Sequence, residues 1–328
     1  MESLVLSGVE GLVLAVDFGG TKLSAATFVP GETIWRAHRR VFSSPGTDAQ
    51  QDLQTMLALA RELLAGEKPA AIGVSFGGPV DYQTGTVRLS HHVPGWEIVP
   101  LKVILETEFG APAFVDNDAN VAALGEHRFG EGRGYSDMCY ITVSTGVGGG
   151  WILNGQPWRG ADGMAGEIGH TAIDPNGPLC LCGKRGCVER LASGPFMAED
   201  ARAELRSGSE PGLGGILLSL AYGDPDQITA KLIAEAAAQG DEFAWKFLQR
   251  SAWALGVGIG NAANLINPQR FILGGGVTKS GARFWEVLRA VARQTALPEV
   301  RFDVVPAELG DDAPLWGAVA LTSQTSEV

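Results

Sequence analysis

The most regular feature of the chain is an apolar run followed by a glycine turn and a second apolar run, an arrangement that occurs twice. Residues 12–28 read LVLAVD, FGGTK and LSAATF, and residues 139–153 read CYITVS, TGVGGG and WIL. A third apolar run, Arg270 to Leu273, leads directly into Gly274-Gly275-Gly276. Short apolar runs bounded by glycine are typical of buried strands. The repeated unit predicts a duplicated α/β architecture with a cleft between two lobes.

Three segments predict helices between these strands. Residues 48–64 carry apolar side chains at helical spacing, and residues 118–126 begin at an acidic residue suited to the N-cap. Residues 229–265 predict one or two long helices that end before Asn267-Pro268. The glycine run from Gly256 to Gly260 resembles a nucleotide motif, but its small apolar neighbours favour close helix packing.

Composition and charge place the chain among soluble globular proteins. It has 328 residues, of which 45% are hydrophobic and 19% charged, and it has room for two domains or lobes. A net charge of −12 argues against a broad nucleic-acid surface. No apolar stretch approaches the ~20 residues that span a bilayer. The first ten residues lack the features of a signal peptide. We therefore expect a cytoplasmic protein.

The cysteines are concentrated in one short segment. Three of the four, Cys180, Cys182 and Cys187, lie within eight residues, and His170 stands ten residues before the first of them. Three thiolates and one imidazole form a closed tetrahedral set that suits a structural zinc ion. The alternatives are buried core thiols, which this ligand count disfavours, and disulfides, which the missing secretion signal disfavours. The sequence therefore predicts a zinc site.

Two glutamates flank the cysteine cluster. Glu167 lies three residues before His170, and Glu189 lies two residues after Cys187. The E-x-x-H spacing also occurs on di-iron helices, but three glycines between 163 and 169 disfavour a helix. We expect a loop that presents Glu167 to a ligand while His170 faces the zinc. The alternative for each glutamate is a solvated surface charge.

The glycine turns are candidate phosphate sites. Backbone N–H groups in such turns can hold phosphate oxygens. No turn matches a Walker A loop or the G-x-G-x-x-G fingerprint, and a single glycine hairpin is more often an ordinary tight turn. Three turns that each follow an apolar strand favour phosphate binding, and the Asp17 carboxylate is suited to Mg²⁺ held through water. The candidate phosphate residues are Gly19, Gly20, Thr21, Lys22, Thr145, Gly146, Gly148 and Gly275.

The run Asn117-Asp118-Ala119-Asn120 lies where a predicted strand ends and a predicted helix begins. A carboxylate at this place can accept a proton from a substrate hydroxyl, while the neighbouring asparagine holds adjacent hydroxyls. The alternative is that Asp118 only caps the helix, which the local sequence alone favours. The other motifs of the chain favour the catalytic interpretation.

Together these motifs resemble the ROK family of repressors and sugar kinases, specifically its glucokinase-like members. The resemblance extends from about residue 12 to 320. Its most specific part is C-x-C-G-x-x-G-C-x-E from Cys180 to Glu189, with E-x-G-H at 167–170. The segment from Asp17 to Lys22 matches the family's D-x-G-G-T-K, and Thr145 to Gly150 matches its second phosphate loop. The N-D-A-N run matches its catalytic segment.

The resemblance implies a fold and an assembly. The fold is the two-lobed α/β, actin-like architecture of sugar kinases and heat-shock ATPases, with an interlobe cleft and a structural zinc site. Residues 1–117 and 313–328 would form the small lobe, and residues 118–312 the large lobe with the zinc motif. The chain would form a homodimer or homotetramer.

The resemblance also implies an activity, the ATP-dependent phosphorylation of glucose at its 6-hydroxyl, as in glycolysis. Asp118 would be the general base, Mg²⁺ and backbone N–H groups would neutralise the phosphates, and His170 would serve both zinc and sugar. The implied sugar ligands are Gly78, Asn117, Asp118, Glu167, His170 and Glu189. ATP and Mg²⁺ would be held by Asp17 and the glycine-turn residues.

Departures from the family pattern leave the sugar open. Gly77 stands where the family usually has proline, and His91 and His92 precede V-P-G-W where an asparagine is common. N-acetylmannosamine, mannose or fructose are therefore alternative substrates, and another nucleotide or polyphosphate is an alternative donor. A DNA-binding repressor needs a helix-turn-helix module before the first strand, and only about ten residues precede Leu12. A non-catalytic sugar-binding regulator is disfavoured because Asp118 and the phosphate loops are intact.

Overall fold

A computed structural model describes residues 9–20, 22–43, 46–90, 93–208 and 214–323. Strands and helices alternate along the chain, which confirms the α/β class. The strands are β1 (Val13–Phe18), β2 (Lys22–Phe28), β3 (Ala37–Phe42), β4 (Ala71–Phe76), β5 (Val80–Asp81), β6 (Thr86–Val87), β7 (Ala113–Asn117), β8 (Met138–Val143), β9 (Val147–Leu153), β10 (Gln156–Trp158), β11 (Arg270–Gly274) and β12 (Asp303–Pro306). The α-helices are α1 (Ala49–Leu64), α2 (Leu101–Phe109), α3 (Asp118–Phe129), α4 (Val188–Ala192), α5 (Gly194–Ser207), α6 (Gly215–Leu220), α7 (Ala230–Ala238), α8 (Glu242–Ile266), α9 (Ala282–Thr295) and α10 (Ala313–Leu321).

Two mixed sheets of five strands form the framework. The first has the order β3-β2-β1-β4-β7, and the second has the order β10-β9-β8-β11-β12. In the first sheet β1, β4 and β7 are parallel, and their register places Asp17, Ser75 and Asp116 in one row. Because these strands end at the same edge, their terminal residues lie side by side there.

Helices pack against the first sheet on both faces. Ile72 and Val74 of β4 belong to the same apolar cluster as Met56 and Leu59 of α1. Gly73, which lies between them, faces the other way, where a Cβ would lie 1.8 Å from the backbone oxygen of Ala318 in α10. The glycine therefore lets α10 lie directly on the strand.

Helix α10 also lies very close to α3. A Cβ on Gly125 would lie 2.5 Å from the oxygen of Ala313, and a Cβ on Gly317 would lie 1.7 Å from the oxygen of Val121. No side chain fits at either position, so glycine is required on both helices. This contact fixes the position of α3, whose first residue is Asp118.

The chain divides into two compact units. Unit 1 comprises Met1–Tyr140, Gly150–Ala165 and Ala307–Val328, and unit 2 comprises Ile141–Gly149 and Gly166–Pro306. The domain boundary predicted between residues 117 and 118 separates α3 from α10. The units instead keep both helices together, because the glycine contacts join them.

The glycine run in α8 packs against α9, as predicted. A Cβ on Gly256 would lie 2.7 Å from Cβ of Val291, and a Cβ on Gly260 would lie 2.4 Å from Cβ of Thr295. The predicted region 229–265 holds two helices, α7 and α8. Among the residues that the structure describes, no helix is both long and apolar enough to cross a membrane.

Candidate functional site

The turn from β7 into α3 is held by the side chain of Asn117. Its Oδ1 accepts a hydrogen bond from the backbone N–H of Ala119 (3.0 Å), so Asn117 is the N-cap. The prediction of an acidic N-cap at residue 118 is therefore wrong, because the chain turns one residue earlier. Asp118 is the first helical residue, and its Oδ1 also accepts from Ala119 (2.8 Å). Its half-buried carboxylate lies at the positive end of α3, which favours a negative charge.

Gly78 lies beside Asn117. Nδ2 of Asn117 donates to the backbone oxygen of Gly78 at 3.1 Å. A Cβ on Gly78 would lie 2.6 Å from the oxygen of Leu89, so glycine is required there. The structure thus brings together two of the predicted sugar ligands. His91 and His92, which follow in the sequence, lie outside the described residues.

Asp17 is the penultimate residue of β1, just before the first glycine turn. It is buried, and Oγ of Ser75 donates to its Oδ1 at 2.8 Å. Burial raises the pKa of Asp17 to about 6, although Ser75, Lys22 and Arg40 act in the opposite direction. The turn is closed by a hydrogen bond from the N–H of Gly19 to the oxygen of Lys22 (3.0 Å). Gly20 is half-buried, and Thr21 lies outside the described residues.

The second glycine turn, residues 144–148, belongs to unit 2 and is tied to α4. The N–H of Val147 donates to Oε2 of Glu189 at 2.9 Å. A Cβ on Gly146 would lie 2.7 Å from the same oxygen. Glu189, predicted from sequence as a sugar ligand, therefore also holds the turn. Thr145 is exposed and Gly148 is half-buried.

The third glycine turn lies against the strand that leads into the second. Gly275 has φ +95°, and a Cβ there would lie 2.4 Å from the oxygen of Val143 at the end of β8. This positive φ and close approach both require glycine. The structure therefore brings Gly275 close to the segment that precedes Thr145.

Glu167 and His170 lie in a loop with a single 3₁₀ turn, Ile168–His170, which agrees with the prediction that they are not on an α-helix. Oε2 of Glu167 lies 4.0 Å from Nε2 of His170, and the two side chains are 52% and 33% exposed. A Cβ on Gly169 would lie 2.0 Å from the oxygen of Val147, so this loop packs directly on the second glycine turn. Both side chains remain accessible to a ligand.

The predicted zinc ligands are gathered at one point. One ligand atom from each of His170, Cys180, Cys182 and Cys187 lies within 4.8 Å of the others. All three cysteines are free thiols, which contradicts a disulfide framework. Nδ1 of His170 is buried without a hydrogen-bond partner, as expected for an atom that binds a metal. Burial raises the pKa of the Cys187 thiol to about 12, so its thiolate needs a neighbouring cation. The donor set fits tetrahedral Zn²⁺.

The loop geometry that gathers these ligands depends on two glycines. Gly183 and Gly186 have φ of +84° and +61°, and a Cβ on Gly186 would lie 1.8 Å from the oxygen of Asp174. The N–H of Cys180 donates to the oxygen of Lys184 at 2.8 Å. This hydrogen bond closes the turn that carries the first two thiols and leads to the third. Both glycines therefore let the backbone turn back so that the ligands meet at one point.

Two partners of the candidate residues were not predicted from the sequence. Ser75 binds Asp17, and Arg159 forms an ion pair with Asp116, the residue before Asn117. The only sequence signal for Ser75 is its place near the end of an apolar run. Arg159 carries no local signal, because its partner lies 43 residues away.

Comparisons with known proteins bear on the whole chain. A model of the ROK family matches residues 13–325. The glucokinase of Halalkalibacterium halodurans is 39% identical over 320 residues, which cover 95% of this chain and 94% of that protein. The N-acetylmannosamine kinase of Shigella boydii is 34% identical over 316 residues, which cover 94% of this chain and 97% of that protein.

A solved structure agrees with these sequence comparisons. The ROK family glucokinase of Streptomyces griseus, in complex with glucose and AMPPNP, is similar with a TM-score of 0.83 and 35% identity. The similarity covers 96% of this chain and 100% of that chain.

Proposed function

The chain belongs to the ROK family, and we propose that it is an ATP-dependent hexose kinase that phosphorylates glucose at the 6-hydroxyl. One observation carries the proposal beyond family membership. The parallel strands β1, β4 and β7 end at one edge of a single sheet, with Asp17, Ser75 and Asp116 in register. Phosphate-binding candidates at the end of β1 and acceptor-binding candidates at the end of β7 therefore lie on the two strands that flank β4.

Asp118 is the proposed general base. Its carboxylate accepts the proton of the sugar hydroxyl as the hydroxyl oxygen attacks the γ-phosphorus. Two features support this role, the half-buried position at the N-terminus of α3 and the orientation by the N–H of Ala119. Asn117 and the backbone of Gly78 would orient the sugar from the same unit.

The proposed sugar ligands of unit 2 are Glu167, His170 and Glu189. Glu167 and His170 are accessible side chains on a loop that packs on the second glycine turn at Gly169. His170 has one buried nitrogen suited to zinc, Nδ1, and the other nitrogen faces Glu167. A metal ion on Nδ1 would fix the tautomer and the ring orientation for a hydrogen bond from Nε2 to the sugar. The zinc is proposed as structural, because protein atoms fill all four positions.

The three glycine turns are proposed to bind the phosphates of ATP through backbone N–H groups. The S. griseus glucokinase complex with an ATP analogue supports ATP as the donor. Mg²⁺ near Asp17 would supply positive charge to the developing phosphoryl group. The raised pKa of Asp17 supports this assignment, because a buried carboxylate with an unfavourable charge gains most from a cation.

We propose glucose rather than N-acetylmannosamine as the substrate, because the glucokinase relative is 39% identical in sequence to this chain and the N-acetylmannosamine kinase relative is 34% identical. Sugar specificity is expected to depend on the two segments that depart from the family pattern, at Gly77 and at His91 and His92. We also propose a homodimer or homotetramer, which light scattering after gel filtration tests.

A coupled assay of ADP release tests the proposal with Mg-ATP and a panel of hexoses. We expect glucose to turn over fastest and Asp118→Asn to lower kcat by about 10²–10⁴-fold, with glucose binding retained. Asp48→Asn is the matched control, because Asp48 caps α1 through its side-chain oxygen and asparagine can do the same. The control should keep wild-type turnover.

Each other outcome has a defined meaning. If another hexose or N-acetylmannosamine turns over fastest, the kinase assignment stands and glucose is wrong. If polyphosphate replaces ATP with equal kcat, the donor is wrong. If glucose binds but no sugar is phosphorylated with any donor, the chain is a sugar-binding regulator and the proposed activity fails.

A further inference from the structure

An ion pair involves Asp116, the residue two positions before the candidate base, and Arg159, and neither member has been assigned a role so far. Nε of Arg159 donates to Oδ2 of Asp116 at 2.7 Å. The two side chains are 13% and 4% exposed. A buried pair of this kind is weak evidence for stability, because the cost of removing both charges from water offsets their attraction. Its hydrogen-bond partners point to another role.

The carboxylate of Asp116 connects Arg159 to the candidate catalytic turn. Its second oxygen, Oδ1, accepts from the N–H of Asn117 at 2.7 Å and from Nδ2 of Asn120 at 3.2 Å. Asn117 in turn caps α3 and binds Gly78. Both oxygens of Asp116 are therefore engaged, one with the arginine and one with the turn that presents Asp118.

Arg159 is itself held from several directions. Its guanidinium lies over the ring of Tyr82, with 4.5 Å to the ring centroid. Its backbone oxygen accepts from the N–H of Ala165 at 3.0 Å, which closes the loop after β10. Arg88 donates to the oxygen of Asp162 in the same loop at 3.2 Å. The guanidinium therefore extends from a loop held by these contacts to the Asp116 carboxylate in β7.

We propose that Arg159 and Asp116 are positioning residues for phosphoryl transfer. The arginine prevents rotation of the Asp116 carboxylate, and the carboxylate fixes the N–H of Asn117 and hence the direction of the Asp118 side chain. Neither residue touches the substrate in this role. The inference rests on the proposed kinase function. Neither Arg159 nor Asp116 was among the site residues predicted from the sequence.

Kinetics of four variants test the pair: Arg159→Met, Arg159→Lys, Asp116→Asn and the double variant Arg159→Met/Asp116→Asn. We expect Arg159→Met to lower kcat by about 10–100-fold, because small displacements of a catalytic group are costly, while the hexose KM changes by less than about threefold. Arg159→Lys should give an intermediate kcat, since a lysine supplies the charge without the planar fork.

The double variant separates positioning from stability. Removing the arginine alone leaves a buried unpaired carboxylate and should lower Tm, whereas the double variant removes that charge and should recover most of the Tm. We expect its kcat to stay at least about tenfold below wild type, because Arg159 no longer fixes the orientation of the side chain at residue 116. Glucose binding, followed by tryptophan fluorescence, should remain in both variants.

Arg250→Met is the matched control. Arg250 forms a half-buried ion pair with Asp200 at 2.6 Å, and both residues belong to unit 2, whereas β7 and α3 belong to unit 1. It should lower Tm with wild-type kcat. The positioning role is overturned if Arg159→Met keeps wild-type kcat, or if kcat of the double variant recovers together with Tm. A wild type that phosphorylates no hexose instead refutes the proposed function, and the positioning role with it.

Discussion

Glu126 illustrates how a single residue can differ from what its sequence context indicates. In the run LGEHRF it looks like an ordinary surface glutamate of a helix, yet it is completely buried. Its carboxylate accepts hydrogen bonds from the N–H groups of Glu131 (3.0 Å), Glu308 (3.3 Å) and Leu309 (2.9 Å). It therefore joins the end of α3 to the segment that leads into α10.

Burial raises the pKa of Glu126, although the three N–H donors act in the opposite direction. Between the unfolded pKa, near 4.5, and the raised folded value, the folded protein holds a proton that the unfolded chain has released. This contribution to stability is fully present below the unfolded pKa. It is lost as pH rises through the folded pKa.

Glu126→Gln removes this titration and one of the two acceptor atoms. We expect the variant to be less stable by about 1–3 kcal/mol, because at least one buried N–H loses its partner. The gap in Tm between wild type and variant should narrow as pH rises from 5 to about 8, since only the wild type loses proton-linked stability. Thermal melts across this range provide the measurement. Glu62→Gln, at an exposed position of α1, is the control. A Tm difference between wild type and Glu126→Gln that widens as pH rises would contradict the raised pKa of Glu126.

At the scale of elements, close packing on glycine decides where the candidate residues lie. The contact between α3 and α10 leaves no space for a Cβ at Gly125 or Gly317. The sequence predicted the helix that contains Gly125, but a glycine in a helix does not reveal which helix it faces. The structure shows that the helix beginning at Asp118 is held by the last helix of the chain.

Gly317→Ala tests this packing. Its Cβ would lie 1.7 Å from the oxygen of Val121, so α10 must shift away from α3. We expect a loss of at least about 3 kcal/mol in unfolding free energy, at the upper end of overpacking effects. Gly215→Ala is the matched control, because a Cβ at this helical position meets no atom of the described residues within 4 Å. In denaturant unfolding, Gly215→Ala should have an unfolding free energy equal to or higher than that of wild type. Equal stability of both variants would refute the packing argument.

The segment that carries the candidate zinc ligands also contacts the second glycine turn, within unit 2. Glu189 follows Cys187 by two residues and accepts from the N–H of Val147. The N–H of Gly194 donates to the oxygen of Ser144 at 2.9 Å. The conformation of the turn therefore depends on the segment that the cysteines organise. Loss of a bound metal should therefore weaken the binding of nucleotide as well as the binding of sugar.

Cys182→Ser tests this dependence at an exposed thiol. We expect less than one zinc per chain by elemental analysis, and an affinity for glucose lowered by about 10–100-fold. Calorimetry with AMPPNP in the absence of sugar should show weaker binding as well. Cys139→Ala removes a buried thiol outside the cluster and should retain full zinc. Unchanged nucleotide affinity in the zinc-free variant would show that the turn holds its shape without the metal.

At the scale of the whole molecule, the candidate residues are divided between the two units. Unit 1 carries Asp17, the first glycine turn, Gly78, Asn117 and Asp118. Unit 2 carries the other two glycine turns, both candidate glutamates and the zinc ligands. The family match over residues 13–325 includes both, so the proposed reaction is a property of the whole chain.

Patterns that are local in the chain were determined by the sequence itself. The strand and glycine-turn units, the loop character of Glu167 to His170 and the zinc ligand set each depend on short spacings, which fix backbone conformation or bring ligands together without help from distant elements. The structure confirms the strands, the turns and the loop, and it gathers His170 and the three cysteines at one point. The N-cap was assigned one residue late, because the propensities of Asn117 and Asp118 are nearly equal and only the hydrogen bonds distinguish them.

Only the tertiary structure decided which distant residues became partners. Asp17 and Ser75 are 58 residues apart, Asp116 and Arg159 are 43 apart, and Glu126 and Leu309 are 183 apart. Each pair arises because packing places two elements side by side, and the free energy of that packing is spread over many apolar contacts. No single spacing along the chain encodes these pairings, so the environment of the candidate base emerges only when the elements are assembled.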